Sequence, residues 1–289
     1  MDPAKYQNTL MDTKMKGITR LIVCIYILHL LMAEIGRTGL TVTAWNLRSL
    51  TASQTYVQEL CQLSDVLFIS EHRLYQNELY KLHELQTGFE IYGKAAKDLD
   101  NHAQSKMPGH CGIAMMWAKN IAHKVRVIEC NSDRIAILEV FNACYNRSIF
   151  IIGVYLPQQQ CKTTSFTEHL DELSSIIDRH KNEGEILIIG DMNTHFGNEV
   201  AKRYHGNSTK NAKLCKDLID KHELYIVDGD ENLCSGPTYT FHVEGVGTSY
   251  IDHCIVSELL LDRLLWCSIH EDNKHIRPLT NICRFKCGY

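Results

Sequence analysis

The segment Ile186-Leu187-Ile188-Ile189-Gly190 is apolar throughout and is closed by Asp191-Met192-Asn193. A short apolar run with turn-prone residues at its end reads as a buried strand. Such a strand needs covering neighbours, and it delivers the polar residues at its end to a fixed place. An acid and an amide held there suit metal-assisted phosphoester chemistry. A lone strand-end Asp is more often a turn former or a helix cap. The reading therefore depends on whether other strands end in the same way.

They do. Leu40 to Asn46 alternates and is β-prone, and it ends at the Asn46 amide. Asp65 to Ser70 is an apolar run followed at once by Glu71. Ile135 to Phe141 and Ser148 to Tyr155 read as a strand pair, the second ending at Tyr155. Tyr250 to Val256 carries Asp252, and Gly112 to Trp117, Leu224 to Val227 and Tyr239 to Phe241 read as further strands. Helical spacing occurs over Thr55 to Leu63 and Asn211 to His222. It also occurs over Phe166 to His180, with an apolar stripe of Leu170, Leu173, Ile176 and Ile177. Strands outnumber helices, and several helices lie between strands, which points to sheets with covering helices. No repeat or linker-like tract divides the chain, so residues 39–289 read as one domain.

Charge limits what such a domain can bind. The net charge is -4, which excludes a global basic field, so any contact with nucleic acid must be local. A bound cation would offset the repulsion between a carboxylate site and a phosphate polymer. Magnesium takes oxygen ligands and keeps several waters, so Glu71 and Asn46 are candidate ligands; manganese is the alternative cation. In that scheme Asp191 orients or deprotonates the attacking water. Asn193 holds a phosphate oxygen or that water, and Tyr155 donates to the developing charge. Asp252 would pair with a histidine and keep it charged.

These segments resemble, in order, the endonuclease/exonuclease/phosphatase superfamily: Trp45-Asn46, Ile69-Ser70-Glu71-His72, Gly153-Val154-Tyr155-Leu156-Pro157, Gly190-Asp191-Met192-Asn193 and Ser249-Tyr250-Ile251-Asp252-His253. Phe68 to Leu74 and Ser249 to His253 look most like the endonuclease domains of non-LTR (LINE-type) retrotransposons. The resemblance implies an α+β fold: a four-layer α/β sandwich of two packed, mainly antiparallel sheets covered by helices. It also implies a magnesium-dependent phosphodiesterase that nicks DNA, and a nuclear or cytoplasmic location.

The family's last motif is Ser-Asp-His. The matching stretch here is Asn273-Lys274-His275-Ile276-Arg277-Pro278-Leu279. Counting back from Pro278 puts Ile276 at the histidine position. A one-residue slip makes His275 the catalytic candidate, with Lys274 where the acid belongs. Gln158 also stands where the family has an asparagine. Two rival functions follow: a catalytically impaired remnant that binds nucleic acid or protein, and a phosphoinositide or sphingolipid phosphoesterase.

Other features carry blander expectations. Trp45 reads as core, His72 as solvated, and His253 as facing away from Asp252. His195 follows the Asp191 motif in a loop, where it could contact substrate. Lys94, Lys97, Lys106, His102 and His110 form a basic loop that could track a phosphate backbone. The twelve cysteines include no CxxC pair and read as free thiols in a reducing compartment. In residues 1–38, Lys14, Lys16 and Arg20 precede the uncharged run Leu21 to Ala33, 13 residues long. That is shorter than the roughly 20 residues needed to span a bilayer. A secretory signal or anchor over residues 14–34, a buried or interfacial helix, and an appended segment are the three readings. A domain that begins near Gly39 favours the last.

Overall fold

The computed structural model describes residues 39–51, 53–95, 111–142, 147–158, 166–243, 247–270 and 280–286. The chain divides into two units between Gly39 and Leu40. Apart from Gly39, the described residues all belong to the second unit.

Two sheets form the centre of that unit. The first has the order β10 (Cys234–Ser235), β14 (Leu264–His270), β15 (Thr280–Lys286), β1 (Gly39–Asn46), β2 (Val66–Ser70), β4 (Ile113–Ala118) and β3 (Phe89–Lys94). The second has the order β5 (Val125–Ile128), β6 (Ile135–Asn142), β7 (Arg147–Tyr155), β8 (Gly184–Asp191), β13 (Asp252–Val256) and β9 (Tyr225–Ile226). A small hairpin, β11 (Phe241–Val243) and β12 (Gly247–Ser249), lies outside both. Most pairings are antiparallel, but β1–β2, β7–β8 and β10–β14 are parallel, so both sheets are mixed.

Alternation along β2 accounts for the layering. Val66 and Phe68 enter the core between the sheets, whereas Leu67 and Ile69 join a second cluster with Trp45, Val57 and Leu60. Val57 and Leu60 belong to helix α1 (Gln54–Leu63), which covers the outer face of the first sheet. A four-residue helix α2 (Tyr80–His83) adds Leu82 to the same cluster. On the far side, α3 (Phe166–His180) buries the expected stripe Leu170, Leu173, Ile176 and Ile177 against β8. Helix α4 (Ala212–Lys221) packs beside it, and the short α5 (Glu258–Leu261) also touches β8. The four layers expected from the sequence are present.

Two glycines let the sheets close on each other. A Cβ at Gly153 would lie 2.2 Å from the Phe68 ring. One at Gly190 would lie 2.3 Å from the Val154 carbonyl and 2.8 Å from the same ring. Gly190 also has φ +130, a conformation closed to other residues. The glycine of the Gly190-Asp191 motif is thus fixed by packing, and it sets where β8 ends.

The strands β3, β5 and β14 were not expected from the sequence. Each is partly exposed. Among the described residues no helix is long and apolar enough to cross a membrane. The run Leu21 to Ala33 lies outside them.

Candidate active site

Five strand ends meet where the sheets face each other. Asn46 closes β1 and pairs in register with Ser70, which precedes Glu71. Asp191 closes β8 between Tyr155 of β7 and Asp252 of β13, its register partners on either side. The Asn46 Nδ2 donates to Glu71 Oε1 at 2.9 Å and to Asp191 Oδ2 at 3.0 Å. It therefore ties an acid on the first sheet to one on the second. The Tyr155 hydroxyl donates to the same Glu71 oxygen at 3.1 Å. Asn46, Glu71, Tyr155 and Asp191 form one hydrogen-bonded cluster, and Asp252 borders it through Asp191.

The backbone is bent to make this cluster. Glu71 has φ 55 and Asn193 φ 47, and Arg48 and Arg73 flank the site at φ 55 and 60. Such left-handed residues cost of order 1 kcal/mol each and persist where the surroundings hold them. The turn at Asn193 points its N–H at Asp191 Oδ1, 2.8 Å away. The same turn sends its Nδ2 to the Leu156 carbonyl at 2.8 Å. That amide braces the loop after β8 against the end of β7.

Burial perturbs the acids. Burial pushes the Asp191 carboxyl up to about 7, and Glu71 adds to the rise; hydrogen bonds from the Asn193 N–H and from Asn46 oppose it. Asp252 is raised well above the usual carboxylate range, first by burial and then by Asp191. Burial also raises Tyr155, and the charges of Glu71 and Asp191 raise it further, so the phenol stays a donor. Buried acids that repel one another form a site that a cation would relax.

The donor set fits a hard cation. Glu71, Asp191 and Asp252 offer only oxygens, as magnesium prefers. Among the described residues no three His, Cys, Asp or Glu side chains form a ready cage. Magnesium does not require one, since it is commonly held by one or two carboxylates and waters. Asn46 presents its nitrogen to the acids, and its Oδ1 accepts the Arg48 N–H at 3.1 Å. To ligate metal, the amide would turn its oxygen toward Glu71.

Several contributors carried no signal in the sequence. The Arg134 guanidinium lies 5.0 Å from the Tyr155 ring centroid and donates to the Tyr155 carbonyl at 3.2 Å. Arg73 donates to Glu71 Oε2 at 3.3 Å. Arg48 lies over the Phe241 ring of the β11–β12 hairpin at 4.8 Å. The Thr240 hydroxyl accepts the Asp252 N–H at 3.1 Å. Only Arg48 and Arg73, two residues beyond Asn46 and Glu71, could have been suspected from spacing.

Three expectations are corrected. His72 is not solvated: it is 1% exposed, its Nδ1 accepts the Leu74 N–H at 3.0 Å, and Nε2 faces the Lys94 carbonyl at 3.1 Å. Burial lowers its pKa to about 4, so it is a neutral strut beneath the Glu71 turn. His195 is buried against the carbonyls of Tyr250 and His205 rather than open to substrate. Lys94 is bound to the carbonyls of Cys130, Ser132 and Ile135, so it does not track a ligand. Lys97, Lys106, His102, His110 and the candidate His275 lie outside the described residues. Trp45 is core, and His253 is buried against Asp228 and the Thr194 carbonyl.

Comparisons with known proteins bear on the fold. The family model described as Endonuclease-reverse transcriptase matches residues 149–275. An AP endonuclease from Leishmania major superposes with TM-score 0.67 at 12% identity, covering 86% of this chain and 88% of that one. A Neisseria 3' phosphatase, NExo, solved with a product DNA hairpin, gives TM-score 0.62 at 16% identity over 85% of this chain and 99% of its own. The endonuclease domain of TRAS1, a telomere-specific non-LTR retrotransposon, gives TM-score 0.61 at 12% identity over 86% and 99%. Among curated proteins, none matches the sequence.

Proposed function

We propose that this chain, which has the fold of the endonuclease/exonuclease/phosphatase superfamily and resembles its retrotransposon endonucleases, is a metal-dependent phosphodiesterase that nicks DNA. The observation that carries the proposal is the single cluster in which Asn46 joins Glu71 to Asp191 across the two sheets while Tyr155 donates to Glu71.

A divalent cation, magnesium or manganese, would supply charge neutralisation at a phosphate oxygen and at the leaving oxygen. Glu71, with the Asn46 amide turned over, would hold it. Asp191 takes the proton of the attacking water. Burial gives it a higher proton affinity than an ordinary carboxylate, which suits a base working near neutral pH. The Asn193 N–H fixes one Asp191 oxygen, leaving the other directed at Asn46 and the incoming water. Tyr155, kept protonated by its surroundings, donates to the charge that develops on phosphorus. Asp252 adds charge that a cation or a histidine would balance, and the sequence offers His275 as the candidate for that histidine. Arg48 and Arg73 flank the cluster as local cations for the phosphate backbone of a DNA strand, which a chain of net charge -4 needs.

The test is nicking of supercoiled plasmid in magnesium by the full chain and by Asp191→Ala and Glu71→Ala. Wild type should convert plasmid to open circles, EDTA should stop it, and both variants should lose at least about 10²-fold in rate. Equal rates in wild type and variants would sink the proposal. DNA binding without nicking by wild type would instead favour the catalytically impaired remnant.

A further inference from the structure

Four of the eight free thiols among the described residues gather in one place. Cys234 on β10 is the register partner of Cys267 on β14, and Cys267 is the register partner of Cys283 on β15. The three form a row across adjacent strands. Cys254 on β13 of the facing sheet completes the group, within hydrogen-bonding reach of Cys283. All four are buried, and the Cys283 Sγ donates to the Cys267 Sγ at 3.2 Å. Buried cysteines usually behave as small apolar residues scattered through a core. These four are lined up thiol to thiol.

We propose that Cys267 and Cys283 are a modification site: a cross-strand pair that a hydroperoxide oxidises to a disulfide in the folded protein. Directly opposed antiparallel residues have Cα atoms about 4.5 or 5.5 Å apart. Both separations fall in the range that a disulfide accepts. The thiols already touch, so bond formation needs a shift of side chains rather than of strands.

The order of events follows from the hydrogen bonds. Cys267 accepts from Cys234 and from Cys283, which lowers its thiol to about 6, whereas burial holds Cys283 well above its ordinary value. Cys267 is therefore the attacking thiolate. Its sulfur takes one oxygen of hydrogen peroxide, the O–O bond breaks, and the departing hydroxide takes up a proton as water. Cys267 is now a sulfenic acid. The Cys283 sulfur attacks it, the S–O bond breaks, and the hydroxyl leaves with the Cys283 proton as a second water. Two thiols and one peroxide give one disulfide and two waters; sulfur loses two electrons and oxygen gains them. The bond closes a loop of 15 residues, 268–282, counted between Cys267 and Cys283. This inference does not rest on the nuclease reading.

The experiment treats the folded full chain with hydrogen peroxide, quenches with catalase, alkylates, and maps peptides without reduction. The expected product links tryptic peptides 264–274 and 275–284, with a mass two hydrogens below their sum. The oxidised protein should melt higher by about 5 °C, from closure of the loop in the unfolded chain. Dithiothreitol should reverse both changes. Cys254→Ala should leave the link intact, and Cys283→Ala should abolish it. The inference is overturned by a link at Cys254–Cys283 or Cys234–Cys267 instead, by sulfinic acid at Cys267 without a link, or by a 267–283 link that appears only in urea.

Discussion

Asp252 and His253 are neighbours on β13, yet they serve two different polar clusters. Behind the strand, Asp228 is fully buried and satisfied. The Cys254 N–H reaches one of its oxygens at 2.6 Å, while the Tyr204 hydroxyl and His253 Nδ1 meet the other at 2.8 Å. In front, Asp252 and Asp191 lie side by side in register; burial raises both, and Asp191 makes Asp252 harder still to ionise. A satisfied buried acid pins structure. A set of buried acids packed together stores a demand for positive charge, and acids perturbed in this way mark functional sites more often than structural ones.

The sharpest way to break this contrast is to remove one acid from each side. Asp191→Ala should lower plasmid nicking by about 10³-fold while leaving the melting temperature unchanged or raised, because a repulsion disappears. Asp228→Ala should do the reverse. It strands the Tyr204 hydroxyl, His253 and the Cys254 N–H, costing about 3 kcal/mol, or roughly 10 °C in Tm. At a temperature where Asp228→Ala is folded, its nicking rate should stay within about tenfold of wild type. A variant that loses both properties together on either side would erase the distinction.

A third experiment sharpens it through pH. The folded pKa of Asp191, about 7, lies above its ordinary value of 3.8, so the folded state binds the proton more tightly. Its contribution to stability is present at low pH and is lost as pH rises from about 4 through 7. In EDTA, thermal melts should find Asp191→Asn more stable than wild type at pH 8, by several degrees, with the gap closing by pH 5. Millimolar magnesium at pH 8 should raise the wild-type Tm more than that of the variant. A gap independent of pH and magnesium would mean that the acids are not coupled to a cation.

His72 sets the opposite slope. Its pKa falls to about 4 from 6.5, so its contribution is present above pH 6.5 and is lost as pH falls toward 4. Protonation would remove the acceptor for the Leu74 N–H. His72→Gln should flatten that limb of the Tm profile.

The smallest expected effect is at the edge of the site. Arg48→Gln should weaken DNA binding a few-fold in EDTA and lower the dependence on salt by about one counterion. Its Tm should change by no more than a few degrees, since a cation–π contact near the surface contributes about 0.5–1 kcal/mol. Fluorescence anisotropy on a labelled duplex measures the binding directly.

Much of the fold was legible because apolar runs record burial one strand at a time. The helix Phe166–His180 and the strand Asp252–Val256 announced themselves through period, and the glycine before Asp191 through its place in the motif. The partly exposed strands β3, β5 and β14 were not read, although Val125-Arg126-Val127 alternates and Leu264 to Cys267 is apolar, because such short signals also occur in helices and loops. His72, Lys94 and His195 were misjudged for one reason: a polar residue in a sequence looks solvated until the carbonyls that bind it are known.

The sequence by itself determined which polar residues stand at the ends of buried strands, because alternation and apolar length are local properties. Only the tertiary structure decided which of them meet. Asn46 and Asp191 are 145 positions apart, and no periodicity spans that distance. They touch because Phe68 packs onto Gly153 and Gly190 and draws the two sheets together. The same closure brought Cys283 to Cys254 across the sheets and left Asp191 and Asp252 buried side by side.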